Sequence, residues 1–293
     1  MSLIGEYQNG NYKVSIYDDG TKIRENDLDN LTPNFPESID LKITNYCNMG
    51  CKYCHEDSSI KGVHGDILQN KFIDTLRPHT ELAIGGGNPL SHPDLYEFLT
   101  LLKRKKVLAN ITVNQTHFML NYEMLKIWSE QKLIYGLGIS LTDATPSFIS
   151  KIEGFPNVVI HVINGIVRLS DLILMQDKNI KLLILGYKDI RRGSTYLKDN
   201  KDVFENQVLL NYYLPTILNK FSVISFDNLA IKQLDVSRLM SKKQWNEFYM
   251  GDDGQYTMYI DLVNRQFAKS SVSKKRHNIM ENIVDMFEVV RKD

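Results

Sequence analysis

The sequence predicts an α/β protein in which helices cover a mainly parallel sheet. Two observations lead to this prediction. Short apolar strand candidates alternate with amphipathic stretches of helical length, and this rhythm repeats from residue 39 onward. The composition, 43% hydrophobic and 24% charged over 293 residues, is that of a globular protein of one or two domains. The residues alone leave an open doubly wound sheet, a full barrel and a partial barrel as alternatives.

The individual elements are predicted from apolar runs and helix-start residues. Strands are predicted at residues 39–44, 82–84, 109–113, 135–141, 158–163, 181–186 and 222–226. Helices are predicted between them at residues 66–76, 93–103, 122–131, 146–152, 166–176 and 195–221. Because ligands of parallel α/β folds gather at the C-terminal ends of the strands, side chains that directly follow a strand are the first candidates for a site.

Both ends of the chain depart from this rhythm. Alternating apolar and polar residues around Asp19-Gly20 predict a β-hairpin at residues 12–25. A second hairpin is predicted at residues 256–268, followed by an amphipathic helix at 277–290. The chain is accordingly divided into an N-terminal hairpin and linker (1–36), a βα unit (37–227) and a C-terminal extension (228–293).

The charge and the apolar runs of the sequence argue against several classes of partner. Thirty-five basic residues balance thirty-five acidic ones, so no bulk field attracts nucleic acid or anionic lipid. The basic stretch 269–276 has no interleaved aromatic residues, so a nucleic-acid partner is not expected. No apolar run approaches the ~18 residues of a membrane span, and the first residues lack a signal-peptide pattern. We therefore expect a cytoplasmic protein with no membrane partner.

The cysteines are the most informative residues. The sequence has three, Cys47, Cys51 and Cys54, crowded into a C-x3-C-x2-C segment directly after the first βα-unit strand. An odd number argues against a disulfide framework. Three thiolates from one short loop can hold three corners of a cubic iron–sulfur cluster, with Gly50 allowing a tight turn between them. The fourth iron would then have no cysteine and would be open to a further ligand.

Other interpretations use the same residues. Cys51 to His55 matches the C-x-x-C-H pattern of covalent haem attachment, but this leaves Cys47 unexplained. Three cysteines and His55 could instead form a structural zinc site, although zinc modules usually draw two ligand pairs from separate segments. The thiols could also be idle. The clustering favours the iron–sulfur interpretation.

These residues carry a family resemblance. The cysteine spacing, with Tyr53 before the last cysteine, resembles that of the radical S-adenosylmethionine (radical SAM) superfamily. Further similar segments follow later strands, in the order that the family has them. They are Gly85-Gly86-Gly87-Asn88-Pro89, Thr112-Val113-Asn114-Gln115, Gly138-Ile139-Ser140 and Leu185 to Gly193. The resemblance covers residues 39–193.

The resemblance implies a fold, a chemistry and a set of site residues. The fold would be a partial (β/α)6-type TIM barrel with an N-terminal β-hairpin and a C-terminal hairpin-plus-helix extension. Cys47, Cys51 and Cys54 would hold a [4Fe-4S] cluster whose open iron chelates S-adenosylmethionine. Reductive cleavage would give a 5′-deoxyadenosyl radical that abstracts hydrogen from a substrate. The residues implied to contact S-adenosylmethionine are Tyr53, Gly86, Gly87, Asn88, Asn114, Ser140, Asn164, Lys188, Arg191 and Arg192.

The resemblance also implies partners. A reduced donor such as flavodoxin or ferredoxin would supply the electron, and the substrate is favoured to be a peptide or protein over a small metabolite or nucleotide. Asn88 stands where the family has glutamate, and Gln115 where it has glycine. The loss of the glutamate motivates one alternative, a non-catalytic metal- or partner-binding protein that retains the barrel. With no further cysteine, a second cysteine-bound cluster is excluded.

Overall fold

A computed structural model describes residues 2–28 and 30–293. Within these residues the strands form two sheets. The strands are β1 Leu3–Asn9, β2 Tyr12–Tyr17, β3 Lys22–Glu25, β4 Ser38–Thr44, β5 Glu81–Gly86, β6 Leu108–Asn114, β7 Gly136–Ser140, β8 Val158–Ile163, β9 Lys181–Leu185, β10 Val223–Phe226, β11 Thr257–Asp261, β12 Gln266–Ala268 and β13 His277–Asn278. The α-helices are α1 Leu95–Arg104, α2 Gln115–Leu120, α3 Tyr122–Glu130, α4 Pro146–Glu153, α5 Leu169–Met175, α6 Arg192–Asp199, α7 Asp202–Ile217, α8 Asn228–Leu234, α9 Lys242–Phe248 and α10 Ile283–Lys292.

The main sheet is largely parallel, as predicted. Strands β4 to β10 lie side by side in chain order, each parallel to the next. On the other side of β4, β11 pairs parallel to it, and β12 and β13 follow antiparallel. No pairing joins β10 to β13 within the described ranges, so this mixed α/β sheet has two open edges there.

Alternation along the strands separates two faces of this sheet. On β4, Ile39, Leu41 and Ile43 are buried and belong to the main hydrophobic core, whereas Asp40 and Lys42 face the opposite side. The helices supply the other half of that core with side chains such as Phe98, Phe118, Phe148, Leu214 and Phe287. Among the described helices, none combines the length and the hydrophobicity needed to span a bilayer.

The N-terminal segment has one strand more than the predicted hairpin. Strands β1, β2 and β3 form a three-stranded antiparallel sheet within the described residues. Strand β1 was not predicted because its apolar and polar residues alternate too weakly. Side-chain contacts stabilise its pairing with β2. Glu6 accepts a hydrogen bond from Ser15 and forms an ion pair with Lys13 at 2.6 Å. The predicted C-terminal hairpin is present as β11 and β12, and β13 extends it.

Several helix predictions were wrong in extent. In place of a helix at 66–76 there is only a short 3-10 turn, Lys71–Thr75, because the Asp66 carboxylate accepts from the backbone of Leu68 and Gln69 and favours a local turn. The predicted helix 195–221 is broken at Asn200, whose backbone is extended. Helices α2, α8 and α9 were not predicted, and the C-terminal helix begins only at Ile283.

Candidate active site

The face of the main sheet turned away from the core helices lines a cavity of about 400 Å³. Strands β4 to β9 and β11 all contribute side chains to this one cavity, so the sheet curves around it. Small residues make the space: Ala83, Gly85 and Gly138 occupy inward positions. At Gly138 a Cβ would lie 2.5 Å from the His161 ring. Bulky side chains at these positions would instead fill the interior.

The cysteine loop forms one wall of the cavity. Cys47, Cys51 and Cys54 all line it, all are half-buried, and none is in a disulfide. The loop is held at its base by backbone hydrogen bonds from Cys47 to Ser59 and from Ser59 to Asn45. Burial, and then the neighbouring cysteines, raises the pKa of the Cys51 thiol, which indicates that the sulfurs lie near one another. Three soft ligands facing one cavity fit an iron–sulfur cluster.

The alternative of a zinc ion held by the cysteines and His55 gains no support. The His55 Nε2 lies 3.3 Å from the Lys188 Nζ and 3.4 Å from a Glu56 oxygen. Across residues 2–28 and 30–293, no group of three or more His, Cys, Asp and Glu side chains is arranged around a single ion. A cubic cluster imposes a different arrangement, because each cysteine ligates a different iron atom and the sulfurs are spread apart.

The glycine turn after β5 is joined to the entrance of the cysteine loop. The Gly87 N–H donates to the Thr44 carbonyl, and the Asn88 N–H to the Tyr46 carbonyl, both at 2.7 Å. Gly86 has φ +113, which favours glycine. A Cβ on Gly87 would lie 2.2 Å from the Tyr46 carbonyl oxygen, so this close backbone contact requires a glycine. Gly86 and Gly87 both line the cavity.

The Gly87→Ala substitution is expected to destabilise the fold, because the added methyl group collides with backbone that carries the cysteine loop. We expect a loss of about 2 kcal/mol or more in the free energy of unfolding, measured by urea denaturation. The matched control is Gly85→Ala, because a Cβ there meets nothing within 4 Å. Equal stability of the two variants would show that the loop entrance tolerates the added group.

Four of the other predicted cofactor contacts, Tyr53, Asn114, Ser140 and Lys188, line the cavity. Tyr53 packs edge-on against Tyr196, and burial is the main reason why its pKa rises to about 12. Asn88, by contrast, is used locally, since its side-chain oxygen accepts from the Leu90 N–H and caps the following turn.

The predicted contact residues that follow β8 and those that follow β9 lie in different parts of the structure. Asn164 is buried in a different cavity of about 380 Å³, where it donates to Gln233. Lys188 lines the main cavity and donates to Ser271 at 2.9 Å. Arg191 donates to the His55 carbonyl, and Arg192 forms an ion pair with Asp57. The two arginines therefore hold the segment that follows Cys54.

A buried ionic cluster, Lys42 with Glu56 and Asp261, was missed by sequence reasoning. The Lys42 Nζ lies 2.7 Å from Glu56 and 3.2 Å from Asp261, with all three side chains at most 8% exposed. Burial alone would raise the pKa of Glu56, but hydrogen bonds and charge from His55 and Lys42 hold it well below its ordinary value. Because burial and Lys188 lower the pKa of His55, the cations that face Glu56 at neutral pH are Lys42 and, at 3.4 Å, the more exposed Arg191. The cluster ties β4 to the cysteine loop and to β11.

The C-terminal extension contributes directly to the cavity. Tyr259 of β11 and Ser271 both line it. The Tyr259 hydroxyl lies 3.5 Å from Glu56, and Arg276 lies over the Tyr259 ring. Arg276 also donates to the Ser271 and Ser273 carbonyls, which fixes this turn beside Lys188. The site is thus built from both the βα unit and the extension.

Comparison with known proteins agrees with this geometry. Residues 41–173 match the sequence model of the radical SAM superfamily. The probable GTP 3′,8-cyclase of Methanocaldococcus jannaschii is 25% identical over 168 residues, which cover 55% of this chain and 55% of that relative. The match thus spans little more than half the length of this curated relative.

Solved structures share the fold. The crystal structure of Streptococcus suis SuiB bound to S-adenosylmethionine has a TM-score of 0.61 at 16% identity, over 89% of this chain and 68% of SuiB. SuiB bound to its precursor peptide SuiA has a TM-score of 0.58 at 15% identity, over 87% and 65% of the two chains. At such identities the likeness concerns the fold alone.

The matched segment contains the cysteine loop, the glycine turn, Asn114 and Ser140, which are the residues that the structure gathers around the cavity. Residues 41–173 are thus similar in sequence to the radical SAM superfamily. Members of this superfamily are enzymes that use a [4Fe-4S] cluster and S-adenosylmethionine.

Proposed function

We propose that the chain is a radical SAM enzyme in which Cys47, Cys51 and Cys54 hold a [4Fe-4S] cluster and the adjoining cavity takes S-adenosylmethionine and a substrate. The observation that carries the proposal is that three thiols of one loop face the same cavity as the glycine turn. When bound, the cluster and S-adenosylmethionine supply a 5′-deoxyadenosyl radical that abstracts hydrogen from the substrate.

The protein residues orient and enclose this chemistry. Gly86 and Gly87 place backbone against the loop entrance, and the Lys42 cluster fixes the segment after Cys54. Tyr53, Asn114, Ser140 and Lys188 offer polar groups along the wall, and we retain them as proposed cofactor contacts. Arg191 and Arg192 act through the loop, and Asn88 through its cap, so we propose positioning roles for these three. Asn164 would need to act from its separate cavity.

The arrangement of charges favours a peptide or protein substrate over a nucleotide. Lys42 is paired with Glu56 and Asp261, Arg191 with Glu56, and Arg168 with Asp171. Of the basic side chains that line the cavity in the described chain, Lys188 alone has no carboxylate partner, which is little for a triphosphate. SuiB, with which the fold is shared, has been crystallised with a precursor peptide. The 25% identity to a probable GTP 3′,8-cyclase is the observation that supports the nucleotide alternative.

The proposal also covers the fold around the site and the source of the electron. We propose that the curved sheet is the partial (β/α)6-type barrel of the superfamily, formed by residues 37–227 with an N-terminal segment and a C-terminal extension of 228–293. The electron would come from a reduced flavodoxin or ferredoxin in the cytoplasm. The curvature around one cavity supports the first point, and the chemistry of the cluster supports the second.

The test is anaerobic reconstitution with iron and sulfide. We expect about four irons per chain and a paramagnetic resonance signal in the reduced protein that changes when S-adenosylmethionine is added. Dithionite should then release 5′-deoxyadenosine, detected by chromatography. Zinc without iron in the reconstituted protein would overturn the proposal. A cluster without 5′-deoxyadenosine would favour the non-catalytic alternative, and consumption of added GTP would favour the nucleotide substrate.

A further inference from the structure

An unpartnered carboxylate faces the interior of the main cavity. Asp40, on β4, lines the cavity and keeps a large solvent-accessible area there, although protein surrounds it on all sides. Within the described ranges Asp40 accepts no hydrogen bond and forms no ion pair, unlike Lys42 two residues further along the same face. A carboxylate that lines a cavity without a protein partner keeps its acceptor sites free for a bound ligand, and an ionisable group with a perturbed pKa in a cleft is a candidate functional residue.

The position of Asp40 separates it from the proposed cofactor contacts. In register it lies beside Ala83 of β5 and Tyr259 of β11. At ~3.3 Å per residue it lies about 13 Å along β4 from Thr44, where the strand ends and the cysteine loop begins. The glycine turn is hydrogen-bonded to that far end, at the Thr44 carbonyl. Asp40 is therefore placed to meet a substrate group that extends past the cofactor.

The charges around Asp40 define the class of that group. Asp227 and Asp253 disfavour its ionised form, and Lys188 favours it, while burial raises its pKa to about 6. Asp227 accepts from the Gly186 and Ala230 N–H groups, and Asp253 accepts from Asn228, so both are already partnered. Asp227 and Asp253 thus add negative charge near Asp40, and of these three carboxylates Asp40 is the one with free acceptor sites. This combination is complementary to a positive charge.

We propose that Asp40 is the recognition residue for a cationic group of the substrate, an ammonium or a guanidinium such as a peptide side chain carries. The inference rests on the function proposed above and names the substrate class for the same cavity. Substrate binding would give this carboxylate the partner that it lacks. Neutral side chains of the same cavity, Ala83, Leu183 and the His161 imidazole, would contact the aliphatic part of such a side chain.

The test measures binding of small probes to the reconstituted protein with S-adenosylmethionine. n-Butylguanidinium, n-butylammonium and the neutral n-butylurea are titrated calorimetrically into the wild type and the Asp40→Asn variant. A charge-assisted hydrogen bond predicts that the cations bind about tenfold more weakly, or worse, to the variant. The relative affinities of the two cations distinguish an ammonium site from a guanidinium site. The control variant is Glu97→Gln, an exposed carboxylate on α1, which should bind as the wild type does.

The Tm of the variant and the pH dependence of guanidinium binding test the proposal further. Since Asp40 has no hydrogen-bond or ion-pair partner among the described residues, Asp40→Asn should not lower Tm at neutral pH while it weakens probe binding, a combination that a structural role would not give. In the wild type alone, guanidinium stays charged, so its affinity should fall about tenfold from roughly pH 7.5 to 5 as Asp40 takes up a proton. Apart from Tyr53 and the three cysteines, the other charged or titratable groups that line the cavity or act on Asp40 are Lys42, His55, Glu56, His161, Asp171, Lys188, Asp227, Asp253 and Tyr259. His161, with a pKa lowered by burial to about 4, stays neutral over this range.

The outcomes separate this inference from the proposed function. Cations that bind the variant as well as the wild type, or n-butylurea that binds as tightly as n-butylguanidinium, would overturn the role of Asp40. Wild-type protein that holds iron and releases 5′-deoxyadenosine would leave the proposed function intact in that case. Wild-type protein that holds no cluster would overturn the proposed function, whatever the probes do.

Discussion

The Cys51→Ala variant is expected to retain its fold and to lose its cluster and its activity together. Cys51 is half-buried at the cavity wall, so removing one sulfur costs little packing. With two cysteines remaining, the loop no longer offers a thiolate for each of three iron corners. After reconstitution we expect iron near background, no reduced-cluster resonance signal and no 5′-deoxyadenosine. Iron analysis, paramagnetic resonance and chromatography measure these three quantities.

The matched control lies in the same loop. Lys52 follows Cys51 directly, and its side chain is exposed, so Lys52→Ala changes the loop without changing the ligand set. This variant should take up iron and release 5′-deoxyadenosine as the wild type does. If Cys51→Ala kept a full complement of iron with an unchanged signal, the ligand assignment would be wrong. If both variants lost iron equally, the loop rather than the thiol would be responsible.

Much of the parallel architecture is readable from local pattern. Each strand from β4 to β10 overlaps a predicted strand, and their order in the sheet follows the chain because βα units place successive strands side by side. The cysteine loop and the glycine turn directly follow neighbouring strands of such a sheet. Their meeting at one cavity therefore follows from topology, before any side chain is placed.

The sequence misses what depends on contacts between distant segments. Strand β11 pairs with β4 across more than 200 residues, and no local pattern states that partner. A signal for Asp40 and Lys42 was present, since they alternate with Ile39, Leu41 and Ile43 and so mark a polar inward face. Their different situations were not readable, because the partners of Lys42, Glu56 and Asp261, come from segments that are distant in the sequence.

For Asn164 the reverse holds, because its position after a strand was readable from the sequence but its contacts were not. It follows β8 directly, which is the correct place for a cofactor contact in a parallel sheet. In the fold, however, its amide donates to Gln233 of α8, a helix that sequence reasoning did not predict. Position after a strand therefore selects candidates, but the packing of neighbouring helices decides which candidates reach the cavity.

The Lys42→Met substitution is expected to give the largest loss of stability among the changes considered. Methionine retains the length of the side chain but removes the charge that lies 2.7 Å from Glu56 and 3.2 Å from Asp261. Two buried carboxylates are then left facing each other, with Arg191 at 3.4 Å from Glu56 as a more exposed cation nearby. Removing one partner of a buried ionic group costs about 3–5 kcal/mol. Urea denaturation at neutral pH measures the loss.

Two comparisons test whether the lost charge causes the lower stability of the Lys42→Met variant. Lys71→Met makes the same chemical change in an ion pair with Glu281 whose side chains are 71% and 74% exposed, and it should cost less than about 1 kcal/mol. The triple variant Lys42→Met, Glu56→Gln, Asp261→Asn should recover much of the lost stability, because no buried charge remains unpaired. The wild-type advantage should also narrow as the pH falls from neutral, because without Lys42 burial raises the pKa of Glu56, so the variant's Glu56 takes up a proton at a higher pH than the wild type's. A deficit that is independent of pH and persists in the triple variant would instead assign the effect to packing of the lysine stem.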